Sequence, residues 1–257
     1  MLRTLALGVA VALATGCASS PSTGLNAEGQ AIGSQAAMSN KGLANLTLAQ
    51  NYLASGQTEY AIDRANRALR SDPDSADVQI VLGMIREKLG DSAGAGAHYA
   101  RGVKLAPTSG HVLNVHGVWL CQQGKAADAD QAFARAVRDP FYKTPDQALF
   151  NAGKCAMQAG QLDKAEAYLR QGLQASPENP ALLARMAELQ FQRRDYMSAR
   201  AFYQRRESLG KTTPELLNLA ISIEQAAGDT VAAQRYMQRL KEQFPDYTPP
   251  ATEGSSQ

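Results

Sequence analysis

Residues 49–73 read AQNYLASGQTEYAIDRANRALRSDP, and residues 83–107 read GMIREKLGDSAGAGAHYARGVKLAP. Each opens on a small residue, reaches a glycine seven positions on (Gly56, Gly90), an alanine five later (Ala61, Ala95) and a proline twelve after that (Pro73, Pro107). The alanine recurs at Ala129, Ala165, Ala199 and Ala233, every 34 residues with one step of 36. A fixed period of this length marks stacked structural repeats. The opening small residue continues as Gly117, Gly153 and Ala187, with Ile221 the exception. The glycine continues as Gly124, Gly160 and Gly228, where a positive φ can end a helix. Arg194 interrupts that series, while Pro177 and Pro245 carry on the prolines.

Between these punctuating residues the apolar positions have helical spacing. Leu48, Ala49 and Tyr52 share one face, and Ala61, Ala65, Ala68 and Leu69 share another. Each unit is therefore expected to be two short amphipathic helices, antiparallel and close because small residues sit at their middles. One unit alone cannot bury its apolar stripe. The pattern resembles the tetratricopeptide repeat, in six consecutive copies at 42–75, 76–109, 110–143, 146–179, 180–213 and 214–247. The resemblance implies an all-α, right-handed superhelical solenoid of helix-turn-helix repeats filling 42–247, with residues 248–257 as a disordered tail. The tryptophan that often opens the motif is replaced by Asn45, Gln79, Leu113, Leu149, Leu183 and Leu217. Ile221 and Leu240 mark the sixth copy as a terminal unit.

The front of the chain is of another kind. Residues 1–16 carry one charge, Arg3, and an apolar run from Leu5 to Leu13, too short to span a bilayer and laid out like a secretory signal. Thr15-Gly16-Cys17 resembles a bacterial lipobox. This implies that Cys17 carries diacylglycerol and an N-acyl chain, with residues 17–41 as a flexible tether. Ala18, where many inner-membrane lipoproteins have aspartate, directs the expected address to the periplasmic face of the outer membrane.

Composition excludes several functions. A formal net charge of +2 gives no electrostatic case for nucleic-acid binding. Repeat five concentrates Arg185, Arg193, Arg194, Arg200, Arg205, Arg206 and Lys211, read as a solvated face in preference to a docking patch for anions. His111 and His116 lie five apart, about 140° around a helix, which does not suit a shared metal. Gly94-Ala95-Gly96 lacks the preceding strand of a phosphate loop, so its glycines are expected to serve close helix approach. No nucleophile elbow or acid–base pair is recognisable, and no cofactor or catalysis is expected. Cys121 and Cys155 fall at motif positions twelve and ten of adjacent units, about 200° apart around a helix. That offset argues against a disulfide and for two small packing residues.

In tetratricopeptide domains, motif positions two, five, nine and twelve face a concave groove. Here they give Leu43, Leu46, Gln50 and Leu53 in repeat one, then Asp77, Ile80, Met84 and Glu87 in repeat two. Repeat three supplies His111, Asn114, Val118 and Cys121. The apolar members of repeats one and two are expected to face solvent as a binding surface for an amphipathic helix or extended peptide, unless residues 26–39 fold back over them. Phe150, Met157 and Phe191 offer a second strip, or packing between neighbouring helices.

The signal, lipidated cysteine, short linker and six repeats together resemble the type IV pilus biogenesis and stability lipoproteins, the pilotins. Two stretches carry the likeness further: the long junction Arg138-Asp139-Pro140-Phe141-Tyr142-Lys143-Thr144-Pro145 and the run from Arg193 to Tyr203. The resemblance implies a monomer that binds a type IV pilus secretin subunit, is held to outer-membrane lipid by its acyl anchor, and promotes secretin localisation and multimerisation. The alternative is a repeat lipoprotein that scaffolds another envelope machine.

Overall fold

The computed structural model of the chain describes residues 38–248. The signal, Cys17, most of the tether and all but the first residue of the tail lie outside the described residues. Within them twelve helices follow one another: α1 (Asn40–Ala54), α2 (Thr58–Ser71), α3 (Ala76–Lys88), α4 (Ser92–Leu105), α5 (Gly110–Gln122), α6 (Ala126–Val137), α7 (Pro145–Gln158), α8 (Leu162–Ala175), α9 (Pro180–Gln192), α10 (Tyr196–Ser208), α11 (Pro214–Ala226) and α12 (Thr230–Gln243). Each odd helix pairs with the even helix after it, and each pair packs on the next. The odd helices also touch one another in sequence, forming one continuous wall. The fold is an all-α solenoid of six helical hairpins.

The repeating residues do what their types allow. All six alanines of the ladder are buried, at 0–1% exposure. Gly83 and Gly117 admit the rings of Tyr99 and Phe133, which a Cβ at either glycine would meet at 2.5 and 2.8 Å. Gly96 likewise gives room to Trp119. The turn glycines have φ between 70° and 80° at positions 56, 90, 124, 160 and 228, and Arg194 takes the same left-handed conformation at φ 61°. Helix starts are capped by side chains: Ser39, Ser75, Ser109, Asn179 and Thr213 accept backbone N–H bonds on odd helices, and Asp91, Asp195 and Asp229 on even ones. Such caps satisfy N–H groups that a helix leaves unpaired.

A ladder of arginines ties repeats two, three, five and six each to the unit before. Arg101 reaches Asp74 at 3.2 Å, Arg135 donates to the Pro107 carbonyl, Arg205 to the Pro177 carbonyl at 3.2 Å, and Arg239 to Glu207 at 2.6 Å. Repeat four has Gln171 at the equivalent place, and its junction with repeat three is the one lengthened by two residues. There Asp139 folds the linker by accepting from Gly110 N at 2.7 Å and Phe141 N at 2.9 Å. Asp130 of α6 accepts from Lys164 at 2.9 Å and Tyr168 at 2.7 Å on α8.

The same interface carries a disulfide. Cys121 on α5 and Cys155 on α7 are bonded, with Cα atoms 5.8 Å apart. This overturns the expectation of two free packing cysteines. Neighbouring helices that run side by side in the same direction show each other opposite faces. A residue on the forward face of α5 therefore meets one on the rear face of α7, and an offset near half a turn is the condition for bonding.

Candidate functional site

The wall of odd helices is where the sequence places the groove, and the structure divides the expected residues into two sets. Leu43 and Met84 are exposed, at 53% and 42%, and Gln50 is exposed as well. Leu46 and Ile80, at 4% and 2%, are core residues and not part of an open surface. Leu46 packs with Ala49, Val81 and Ile85, and Ile80 with Ala95, Tyr99 and Val112. Motif position five points into the seam between one odd helix and the next, so its side chain is covered by the neighbouring repeat. Leu53 is partly buried against the first of these clusters, and Glu87 accepts the Tyr99 hydroxyl. Burial first, and then that carboxylate, hold the Tyr99 phenol above its ordinary range. Of the apolar stripe, Leu43 and Met84 are the members left open.

The other candidates are also absorbed by packing. Met157 is buried at 8%; Phe150 lies beneath the Arg185 guanidinium at 5.3 Å, and Phe191 contacts the Tyr196 ring at 5.9 Å. Of the stretch expected to cover the groove, residues 26–39, Met38 packs against the first core cluster and Ser39 caps α1, while residues 26–37 lie outside the described residues. His116 stacks on Trp119 at 5.9 Å, and His111 is exposed. The basic face of repeat five is largely spent within the fold. Arg185 pairs with Glu188, Arg193 with Asp163 and Glu166, and Arg200 grips the buried Glu224 with two nitrogens. Arg205 and Arg206 donate to the carbonyls of Pro177 and Lys211. Arg194 is left exposed on its turn.

A cleft of about 490 Å³ opens between repeats three and four, and sequence reading did not anticipate it. Val118 and Phe133 and the Cys121–Cys155 bond supply its apolar part; Gln122, Asn151, Lys154 and Gln158 supply its polar part. Asn151 donates one amide N–H to Asn114 at 3.0 Å. Gln158 Oε1 lies 3.4 Å from the Cys121 sulfur, a contact and not a hydrogen bond because the bonded sulfur has no proton. The legible signal for this cleft was the pair of cysteines, one on each wall. Its lining holds no nucleophile with an adjacent base.

Comparison with known proteins agrees with this architecture. Three tetratricopeptide-repeat family models match the chain, one at residues 46–110 and 120–180, one at 156–220 and one at 216–247. The type IV pilus assembly protein PilF of Pseudomonas aeruginosa is 27% identical over 202 residues, which is 79% of this chain and 80% of that protein. Among solved structures, PilW, described as a widely conserved type IV pilus biogenesis factor, matches with a TM-score of 0.76 at 26% identity, over 81% of this chain and 96% of its own. The structure of Pseudomonas aeruginosa pilF matches at 0.70 and 26% identity, over 80% and 93%. Six hairpins in register, the family models along them and these two structural matches over four fifths of the chain make it a member of the tetratricopeptide-repeat family, homologous to PilF.

Proposed function

We propose that this chain acts in type IV pilus biogenesis as a pilotin: a non-catalytic repeat scaffold, anchored by lipid on Cys17 at the periplasmic face of the outer membrane, that binds a secretin subunit and promotes its multimerisation. The observation that carries the reading is the likeness to PilF and PilW over about four fifths of the chain, at 26–27% identity. The Cys121–Cys155 disulfide supports an oxidising compartment such as the periplasm, since such bonds rarely persist in the cytosol. Lipid supplies the address and the groove supplies recognition; holding bound secretin near the bilayer raises its effective concentration there. The test is deletion of the gene followed by an assay for heat- and detergent-resistant secretin multimers and for surface pili. Loss of both, restored by the wild-type chain and not by Cys17→Ser, is expected. Multimers that persist at normal levels in the deletion strain would refute the proposal.

A further inference from the structure

We infer that the edge of the array carrying the loops from each even helix to the next odd one rests on the phospholipid bilayer, with the Phe141 ring and its flanking cations as the contact. The inference rests on the lipid anchor proposed for Cys17. Ser39, where the tether joins α1, donates its backbone N–H and its hydroxyl to Asp72 of the first such loop, each at 2.9 Å. The tether therefore enters on this edge. A flexible chain from Cys17 to Met38 has an end-to-end distance of about 25 Å. A lipid on Cys17 would keep the edge that close to the bilayer, where a contact too weak to anchor a free protein still sets its orientation.

The loop between repeats three and four is built to hold one ring outward. Asp139 accepts from Gly110 N on α5 at 2.7 Å and from Phe141 N at 2.9 Å, and Tyr142 packs with Leu113, Ala136 and Ala148. Phe141, between these two fixed residues, is 65% exposed. The fold uses both its neighbours and leaves the ring in solvent. Arg138 and Lys143 stand on either side of it, both exposed. A ring held out between two long cations suits the membrane interface: the ring sits at headgroup level, the stems lie along the acyl boundary and the charges reach the phosphates. Two units further on, the same edge exposes Leu209 beside Lys211. The opposite edge, formed by the turns inside the hairpins, exposes Met197 and Val231, but the tether does not join there. With the loop edge down, the helices stand on the bilayer, and a polypeptide bound along the odd-helix wall runs parallel to the membrane.

The test uses the mature chain beginning at Cys17, the one free thiol once Cys121 and Cys155 are bonded. That thiol is coupled to maleimide-headgroup lipid in vesicles of equal parts phosphatidylethanolamine and phosphatidylglycerol, so the result does not depend on whether cells acylate it. Phe141→Trp and, on the turn edge, Met197→Trp report by indole emission in vesicles with and without brominated acyl chains, each read against the parent chain, whose single tryptophan is Trp119. The indole at 141 is expected to shift to the blue and to be quenched by brominated lipid, while the one at 197 stays as in water. Equal quenching at both positions, quenching at 197 alone, or none at either overturns the inference. Adding Arg138→Glu with Lys143→Glu to the Phe141→Trp chain should remove most of its quenching; undiminished quenching overturns the contact as stated. All four side chains are exposed, so unchanged melting curves establish that the variants fold. The mass of Cys17 in chain taken from cells is a separate measurement: an unmodified residue there sinks the anchored-pilotin reading, and the vesicles still decide the edge.

Discussion

Replacing Cys121 and Cys155 by serine tests the fold where two repeats are joined by most. The bond closes a loop of sequence separation 34, and the chain-entropy relation for a loop of that size gives about 3 to 4 kcal/mol of stabilisation, by restricting the unfolded chain. For a folded array of this length that corresponds to a fall in Tm of roughly 8 °C. The effect should be local as well as global. Amide exchange is expected to quicken in α5 to α8, while α1, α2 and α12 change little, because each repeat contacts only its neighbours. The assay is thermal and urea unfolding of wild type, the double serine variant and wild type with reductant, each with thiols counted by alkylation and mass. Wild type should show no alkylation at either cysteine until reduced. A Tm shift below about 2 °C with both thiols demonstrably free would refute the loop-closure argument. Two labelled thiols in the native, unreduced protein would refute the pairing itself.

Other outcomes follow from single side chains. Arg194→Gly should stabilise the protein by about 1 kcal/mol, read as a rise in the urea midpoint, because a left-handed backbone costs a non-glycine residue that amount. Met84→Asp should leave the urea midpoint unchanged while weakening secretin binding; Leu46→Asp should lower stability by several kcal/mol, because it puts a carboxylate among Val81, Ile85 and Ala49. Equal stabilities of the two variants would contradict the assignment of Leu46 to the core. Asp130 is opposed by burial, yet the hydrogen bonds from Tyr168 and Lys164 hold its folded pKa below the ordinary 3.8. Its contribution is therefore full above about pH 4 and disappears as pH falls through the lowered folded value. Asp130→Asn should be less stable at neutral pH and should show a flatter stability curve below pH 4; parallel curves for variant and wild type would disprove the linkage.

The fold was legible because the repeat is a statement about backbone shape. A left-handed turn, a close helix crossing and a stop each demand one residue type, so Gly56, Ala61 and Pro73 show the hairpin before any tertiary contact is known. Arg194 shows the strength of the context: the turn forms with φ 61° although its residue disfavours it. The site was less legible. Motif position alone could not separate Met84 from Ile80, since exposure is decided by the neighbouring repeat, and Ile80 is covered by Val112 and Tyr99 from α5 and α4. The cysteine pair was misread for a related reason. A helix wheel describes one helix, whereas bonding between helices depends on how two wheels face each other. The cleft needed the coordinates, because its polar groups come from two repeats and share no spacing.

The bond at the repeat-three to repeat-four interface also sets how the array would respond to a pull along its length. A force applied between the two ends of an unfolding chain passes through the sulfur bridge and bypasses the segment from 121 to 155. At about 3.5 Å per extended residue, roughly 110 Å of contour is withheld from stretching. The outer repeats can therefore peel away one after another, while the middle of the groove remains a short covalent loop that cannot be drawn out straight until the bond is reduced.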